Sequence, residues 1–198
     1  MFLTPAIERA IVRSAELHRD QVRKGNGSPY VVHPYAVAFL LAHFGADEVT
    51  IIAGLLHDVL EDVPGYSAET LRQEFGAEVM KIVREVSEDE QTARDASGKT
   101  TRDSWRIRKE RYLSNLENDG EKALWVAAAD KICNLRSLAT DYSKSGEAVW
   151  EVFLGKKEGT FWFFESAFKI LEGRLGNVPI VREYEETLRS VREQMSSP

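Results

Sequence analysis

Six residues with almost no polarity, Ile51-Ile52-Ala53-Gly54-Leu55-Leu56, run without a break into His57-Asp58-Val59-Leu60-Glu61-Asp62. The first run is apolar nearly all round a helix, so that helix must be central rather than a surface element. Its end carries an imidazole and three carboxylates at the edge of the interior, where uncompensated polar groups are costly. On a helix, His57 and Asp58 stand about 100° apart, and Glu61 and Asp62 repeat the same two faces roughly 5.4 Å further on. A divalent cation on His57 and Asp58 would compensate the buried groups. Glu61 and Asp62 would then be left for a water or a second ion.

The remainder of the chain is helical in pattern too, because spacings of three and four recur and strand alternation does not. Thr4 before Pro5 starts a helix expected to reach about Arg23, ahead of the loop Gly25-Asn26-Gly27-Ser28-Pro29. His33-Pro34 opens a second helix that Gly45 stops, and Asp47 caps a third, expected from Glu48 to about Glu61. Ser67 caps a short helix ending at Phe75-Gly76, and Ala77 to Val86 follows. Residues 87–103 are polar and read as a long loop, of the length that serves as a lid or is partly disordered. Helices are then expected over Trp105–Leu116, Lys122–Ala139, about Trp150–Leu171 with an interruption near Gly155–Gly159, and after Pro179. No repeat or linker divides them, so the expectation is one all-α domain spanning 1–198.

Composition removes several function classes. With 26 basic and 32 acidic side chains the net charge is −6, which disfavours duplex nucleic acid as partner. It leaves room for a small anionic substrate held by a local basic cluster. The only cysteine, Cys133, excludes an intrachain disulfide and a thiolate-rich zinc site. The amino-terminal residues show no signal-peptide pattern and no stretch reaches the length of a membrane span, so a cytoplasmic protein with no membrane partner is expected.

Two further segments carry chemistry. His33 stands immediately before a Pro that opens a helix, and Asp130 follows the apolar run Val126-Ala127-Ala128-Ala129. Asn134 lies one helical turn after Asp130, and Arg136 two residues beyond that. A buried Asp130 needs a partner. Two imidazoles and two carboxylates, from His33, His57, Asp58 and Asp130, form a mixed nitrogen and oxygen set that suits Mn, Fe, Co or Zn. Taken singly, each of these residues has an ordinary structural reading; the spacing of the whole set favours the metal. His18 and His43 have no patterned companion and read as ordinary helix residues.

These residues resemble the HD superfamily of metal-dependent phosphohydrolases, and more narrowly the hydrolase domains of RelA/SpoT proteins and the small stand-alone alarmone hydrolases. The similarity covers about residues 5–142. It rests on Arg23-Lys24, Pro29-Tyr30, His33-Pro34, Ala53 to Asp58, Glu61-Asp62, Phe75-Gly76, and Ala129-Asp130 with Asn134 and Arg136. The resemblance implies a single-domain multi-helix HD bundle with a motif-bearing core over about 5–142 and a helical extension over about 143–198. It implies one Mn2+ held by His33, His57, Asp58 and Asp130. Glu61 and Asp62 would orient or activate the attacking water, and Arg23, Lys24, Asn134 and Arg136 would contact the nucleotide. The implied reaction removes the 3′-pyrophosphate of guanosine tetra- or pentaphosphate; the length leaves no room for a synthetase domain, so a hydrolase alone is expected.

Two departures bear on the substrate. The alarmone hydrolases usually carry a Lys-Leu-Ala-Asp run where this chain has Ala127-Ala128-Ala129-Asp130, and the segments around Arg84–Trp105 and Gly155–Phe163 also differ. Another nucleotide, NADPH for example, is therefore the alternative substrate, and a non-catalytic nucleotide sensor is a third reading. The basic helix Trp105 to Arg111 is either a solvated face or a phosphate-steering edge. The aromatic cluster Trp150, Phe153 and Phe161 to Phe164 is core or the contact of a homo-oligomer.

Overall fold

The structure, a computed structural model, describes residues 3–23, 27–88 and 102–196. Its elements are α1 (Pro5–Leu17), α2 (Val32–His43), α3 (Glu48–Leu56), α4 (Val59–Asp62), α5 (Ala68–Phe75), α6 (Ala77–Val86), α7 (Arg102–Leu116), α8 (Glu121–Ser145), a 3-10 segment (Gly146–Val152), α9 (Lys156–Leu175) and α10 (Pro179–Gln194). No strand occurs among the described residues; one isolated antiparallel bridge joins Val22 and Pro29. The all-α class read from the sequence is what the chain adopts. Lys24 and most of the polar loop, residues 89–101, lie outside the described residues.

The caps form where side-chain chemistry asks for them. Thr4 Oγ1 accepts from the Ile7 N–H at 3.3 Å, Asp47 Oδ1 from the Thr50 N–H at 2.9 Å, and Ser67 Oγ from the Thr70 N–H at 3.1 Å. Gly76 closes α5 and opens α6 with φ of 90°, a left-handed conformation that an L side chain would strain.

Helix α8 is the axis of the fold. It packs against α2, α3, α6, α9, α10 and the 3-10 segment, and residues 126–132 are buried on every side. Helix α3 packs on α1, α2, α6 and α8, and its apolar run is buried throughout. The helix expected to be central, α3, packs on α8, whose run Val126 to Ala129 is buried as expected. The aromatic residues Trp150, Phe161, Phe163 and Phe164 are buried in the same core.

Three expected boundaries move. Helix α1 ends at Leu17 rather than near Arg23 because the next residues pair with the returning loop. There the Arg23 N–H donates to Ser28 O and the Tyr30 N–H to Gln21 O, both at 2.9 Å. The helix expected from Glu48 to about Glu61 is interrupted at His57-Asp58. His57 Nδ1 donates to Gly54 O at 2.8 Å, engaging the carbonyl that a continuing helix would offer to the Asp58 N–H. Helix α8 continues past Ala139 to Ser145, where Gly146, at φ of 56°, ends it.

Helices α7 and α9 form a pair whose closest approach is set by glycine. A Cβ at Gly155 would lie 2.4–2.9 Å from three atoms of the Trp105 ring, and one at Gly159 would lie 3.2 Å from it. The interruption expected near Gly155–Gly159 falls at Phe153–Gly155, and these glycines seat the indole. Gly155→Ala is expected to lower stability by about 1–3 kcal/mol, since a rigid ring must shift. Gly173→Ala, on the same helix with nothing near its Cβ, should instead raise it by about 0.5–1 kcal/mol through helix propensity. Urea denaturation of the two variants measures the opposed signs.

Candidate active site

Four side chains from three parts of the chain converge where the amino end of α2, the α3–α4 break and the middle of α8 meet. His33 enters on the first turn of α2, fixed by its N–H donating to Tyr30 O at 2.9 Å. Its Nε2 lies 3.0 Å from Asp130 Oδ1 and 3.7 Å from Asp58 Oδ2. His57 Nε2 lies 3.0 Å from Asp58 Oδ2 and 3.7 Å from Asp130 Oδ1. Ligand atoms of His33, His57 and Asp58 all fall within 4.8 Å of one another. The distances from Asp130 Oδ1 to both imidazoles add it to the group.

The donor set fits a divalent transition metal. With Nδ1 of His57 committed to the Gly54 carbonyl, Nε2 is the free ring nitrogen. It is buried and has no well-angled hydrogen-bond partner among the described residues. A histidine whose second nitrogen donates to a main-chain carbonyl is oriented and tautomer-fixed as metal ligands are. The break after Leu56 is what turns this ring, and the following carboxylate, toward Asp130. Burial opposes a proton on His57, but the carboxylates of Asp58 and Asp130 hold its pKa well above the usual imidazole range. Burial alone would raise Asp58 and Asp130; the neighbouring histidines, and for Asp130 first the Lys131 ammonium, hold both well below the carboxylate range. The site thus concentrates negative charge around two imidazole nitrogens.

A cleft of about 640 Å³ opens over this cluster, within the ordinary size of a small-molecule site. Glu61 and Asp62 line it. Burial, then the nearby Asp58 charge, push the Glu61 carboxyl up to about 8, near the range useful for proton transfer at neutral pH. Arg23 and Asn134 also line the cleft and are joined to the cluster. Arg23 Nη2 donates to Asn134 Oδ1 at 3.2 Å, and Asn134 Nδ2 donates to Asp130 Oδ1 at 2.6 Å. Arg136 is not brought to this group. Two residues beyond Asn134, its side chain is carried round α8 to the α10 side, where it pairs with Glu183 and is half exposed.

Several further residues support the four donors. Tyr30 donates its hydroxyl to Asp58 Oδ2 at 2.6 Å and lies between the rings of His18 and His33, with centroids 5.0 and 6.0 Å away. His18, read from the sequence as an ordinary helix residue, is buried at the end of α1. Its Nδ1 donates to Gln21 Oε1, and Gln21 Nε2 donates to Asp62 O, both at 2.6 Å. Lys131 donates to the outer oxygen of Asp130 at 2.6 Å and stands 4.5 Å over the Tyr112 ring. Two signals were available: the Pro29-Tyr30 motif, and a lysine in a buried run next to an aspartate. His43 is exposed against Phe44, as expected.

Comparison with known proteins supplies a family. The family model for the HD domain matches residues 10–161. A guanosine-3′,5′-bis(diphosphate) 3′-pyrophosphohydrolase, MESH1 of Xenopus tropicalis, is 32% identical over 170 residues, covering 83% of this chain and 88% of that protein. A GTP pyrophosphokinase of Streptomyces coelicolor is 48% identical over 77 residues, 39% of this chain. The long relatives of this kind extend well beyond the match: the chain spans between 9% and 17% of the first three. A solved structure described as a metazoan ortholog of SpoT that hydrolyses ppGpp and plays a role in starvation responses superposes with a TM-score of 0.76. It is 26% identical, over 96% of this chain and 97% of that one.

Burial and the Asp58 charge keep the Tyr30 hydroxyl protonated, so it remains a donor to the carboxylate. Tyr30→Phe is expected to weaken binding of a divalent transition metal about 10-fold or more, as loss of outer-shell support does, with the helical circular-dichroism signal kept. Titration of the variant with Mn2+, followed by electron paramagnetic resonance, checks this.

Proposed function

This chain belongs to the HD-domain family, and on that premise we propose that it hydrolyses a (p)ppGpp-like nucleotide, releasing the 3′-pyrophosphate. The observation that carries the reading is the convergence of His33, His57, Asp58 and Asp130 beside the Glu61–Asp62 pair in one cleft. The near full-length match to a named 3′-pyrophosphohydrolase supports the substrate. We take the chain as one domain over 1–198, with the motif-bearing core over about 5–142 and a helical extension over about 143–198. A cytoplasmic setting, where nucleotides are at hand, is part of the same proposal. No described helix is long and apolar enough to cross a membrane.

His33, His57, Asp58 and Asp130 would hold the cation, proposed to be Mn2+. When bound, such an ion polarises a phosphoryl oxygen and lowers the pKa of a coordinated water. Glu61, half-buried and accepting the Glu88 main-chain N–H on one oxygen, takes the proton of the attacking water. Asp62, alongside it, orients that water. Asn134 and Arg23 bind the nucleotide, already aligned by their contact with each other and with Asp130. Lys24 is assigned the same role from the motif alone. Arg136, facing Glu183, takes no part.

One observation favours a different nucleotide. Ala127, at the position of the family lysine, lines the cleft, so a cationic contact with the substrate is lost there. Incubation with ppGpp and Mn2+ is expected to yield pyrophosphate and GDP, and a chelator should stop the reaction. His57→Ala should lower turnover by at least about 100-fold, since a direct ligand outweighs its outer-shell supports. Orthophosphate from NADPH, with ppGpp untouched, would instead identify the other substrate. Metal-dependent binding of ppGpp with no turnover at all would identify a sensor.

A further inference from the structure

The carboxyl end of α6 carries an ion cluster that the proposed reaction does not use. Glu88 follows Ser87, the cap of α6, and its side chain is only 11% exposed. Its Oε1 lies 2.5 Å from Lys109 Nζ and its Oε2 lies 2.9 Å from Arg108 Nε. The Lys109 ammonium also stands 4.4 Å from the centre of the Phe163 ring. Helices α6, α7 and α9 therefore meet on one buried pair. Removing Glu88 would leave two mostly buried cations without their carboxylate, so the contacts with Lys109 and Arg108 fix where Glu88 sits.

The same residue ends on the reacting side of the cleft. The Glu88 main-chain N–H donates to Glu61 Oε1 at 2.6 Å. Rotation of the Glu61 carboxyl is thus limited by a backbone segment whose own place is set by its side chain. Helix α7 packs mainly on α9 and touches α6 only lightly, so the Glu88 ion pairs are a principal tie between α7 and the Glu61 side of the cleft.

We propose that Glu88, gripped by Lys109 and Arg108, is a positioning residue that aims the Glu61 carboxylate through its main-chain N–H. This rests on reading Glu61 as the base of the hydrolysis. The competing use of the same residues, in which Arg108 and Lys109 bind a substrate phosphate and Glu88 merely occupies their place, is disfavoured by geometry. Both cations already face a carboxylate at short range in a mostly buried setting.

The test compares Lys109→Met, Lys109→Arg and Glu88→Gln in the full chain. Two quantities are read: ppGpp turnover with Mn2+, and the 13C resonance of the Glu61 side-chain carboxyl at fixed pH, assigned with Glu61→Gln. Lys109→Met is expected to lower kcat about 10-fold with KM within about 2-fold, because an aim made in the transition state is lost while substrate contacts remain. The Glu61 resonance should move in that variant, and Lys109→Arg should restore both readings. A raised KM at unchanged kcat, a Glu88→Gln variant with a lower KM, or an unmoved Glu61 resonance would overturn the proposal. If Lys109→Met fails to fold, Glu88→Gln supplies the same two readings, since the amide keeps the shape and loses the charge. If the wild-type chain leaves ppGpp intact, the functional reading fails by itself, and the Glu61 resonance still decides the positioning role.

Discussion

The structure depends on compensating charge in one small buried volume. Two imidazoles and two carboxylates occupy the junction of α2, the α3–α4 break and α8, where isolated ions would be strongly disfavoured. What makes the junction tenable is that three of the four donors are also tied outward. His57 donates to Gly54 O, Tyr30 donates to Asp58, and Lys131 and Asn134 donate to Asp130. The inward-facing atoms are then left converging on one point. Helix α3 stops at Leu56 for the same reason, since a straight helix would leave the His57 ring without that carbonyl anchor.

Around this junction the fold is built from two unequal parts. The four donors come from α2, the α3–α4 break and α8, while α7 and α9 pair through the Trp105 ring seated on Gly155 and Gly159. The cleft runs between them, so its far wall (Trp105, Phe153, Phe163) comes from residues after the polar loop. The segment beyond residue 142 is therefore more than an appendage, because it supplies aromatic surface to the same cavity that the motif residues line.

The sequence made the donors legible and the supports largely not. His57, Asp58 and Asp130 stand out because each ends or follows an apolar helical run, where a polar group demands a partner, and His33 joins them through the spacing of the whole set. Tyr30, His18, Gln21 and Glu88 reach the site through loops and helix ends, where no period constrains direction. The reading of His57 to Asp62 as one continuous helix failed because side-chain capture of a main-chain carbonyl is invisible to periodicity. Arg136 illustrates the opposite error. Motif adjacency suggested the cleft, but its position on α8 turns it toward Glu183, and helix geometry overrides proximity in sequence.

The charge lining the cleft bears on how an anionic ligand could be accepted by a chain of net charge −6. Among the described lining residues, six acidic side chains outnumber four basic ones. With both imidazoles neutral, as ligation of a cation requires, an excess of negative charge remains. A polyphosphate would meet repulsion there unless a divalent ion offset it, and the offset must be local because screening in water erases distant charge within about 10 Å. The four donors stand where such an ion would have the greatest effect, beside Glu61, with Arg23 and Lys131 within one residue contact of Asp130 or Asn134. Binding and chemistry in this cleft therefore draw on the same charge: the carboxylates that would repel a phosphate are the ones that make room for the cation able to hold it.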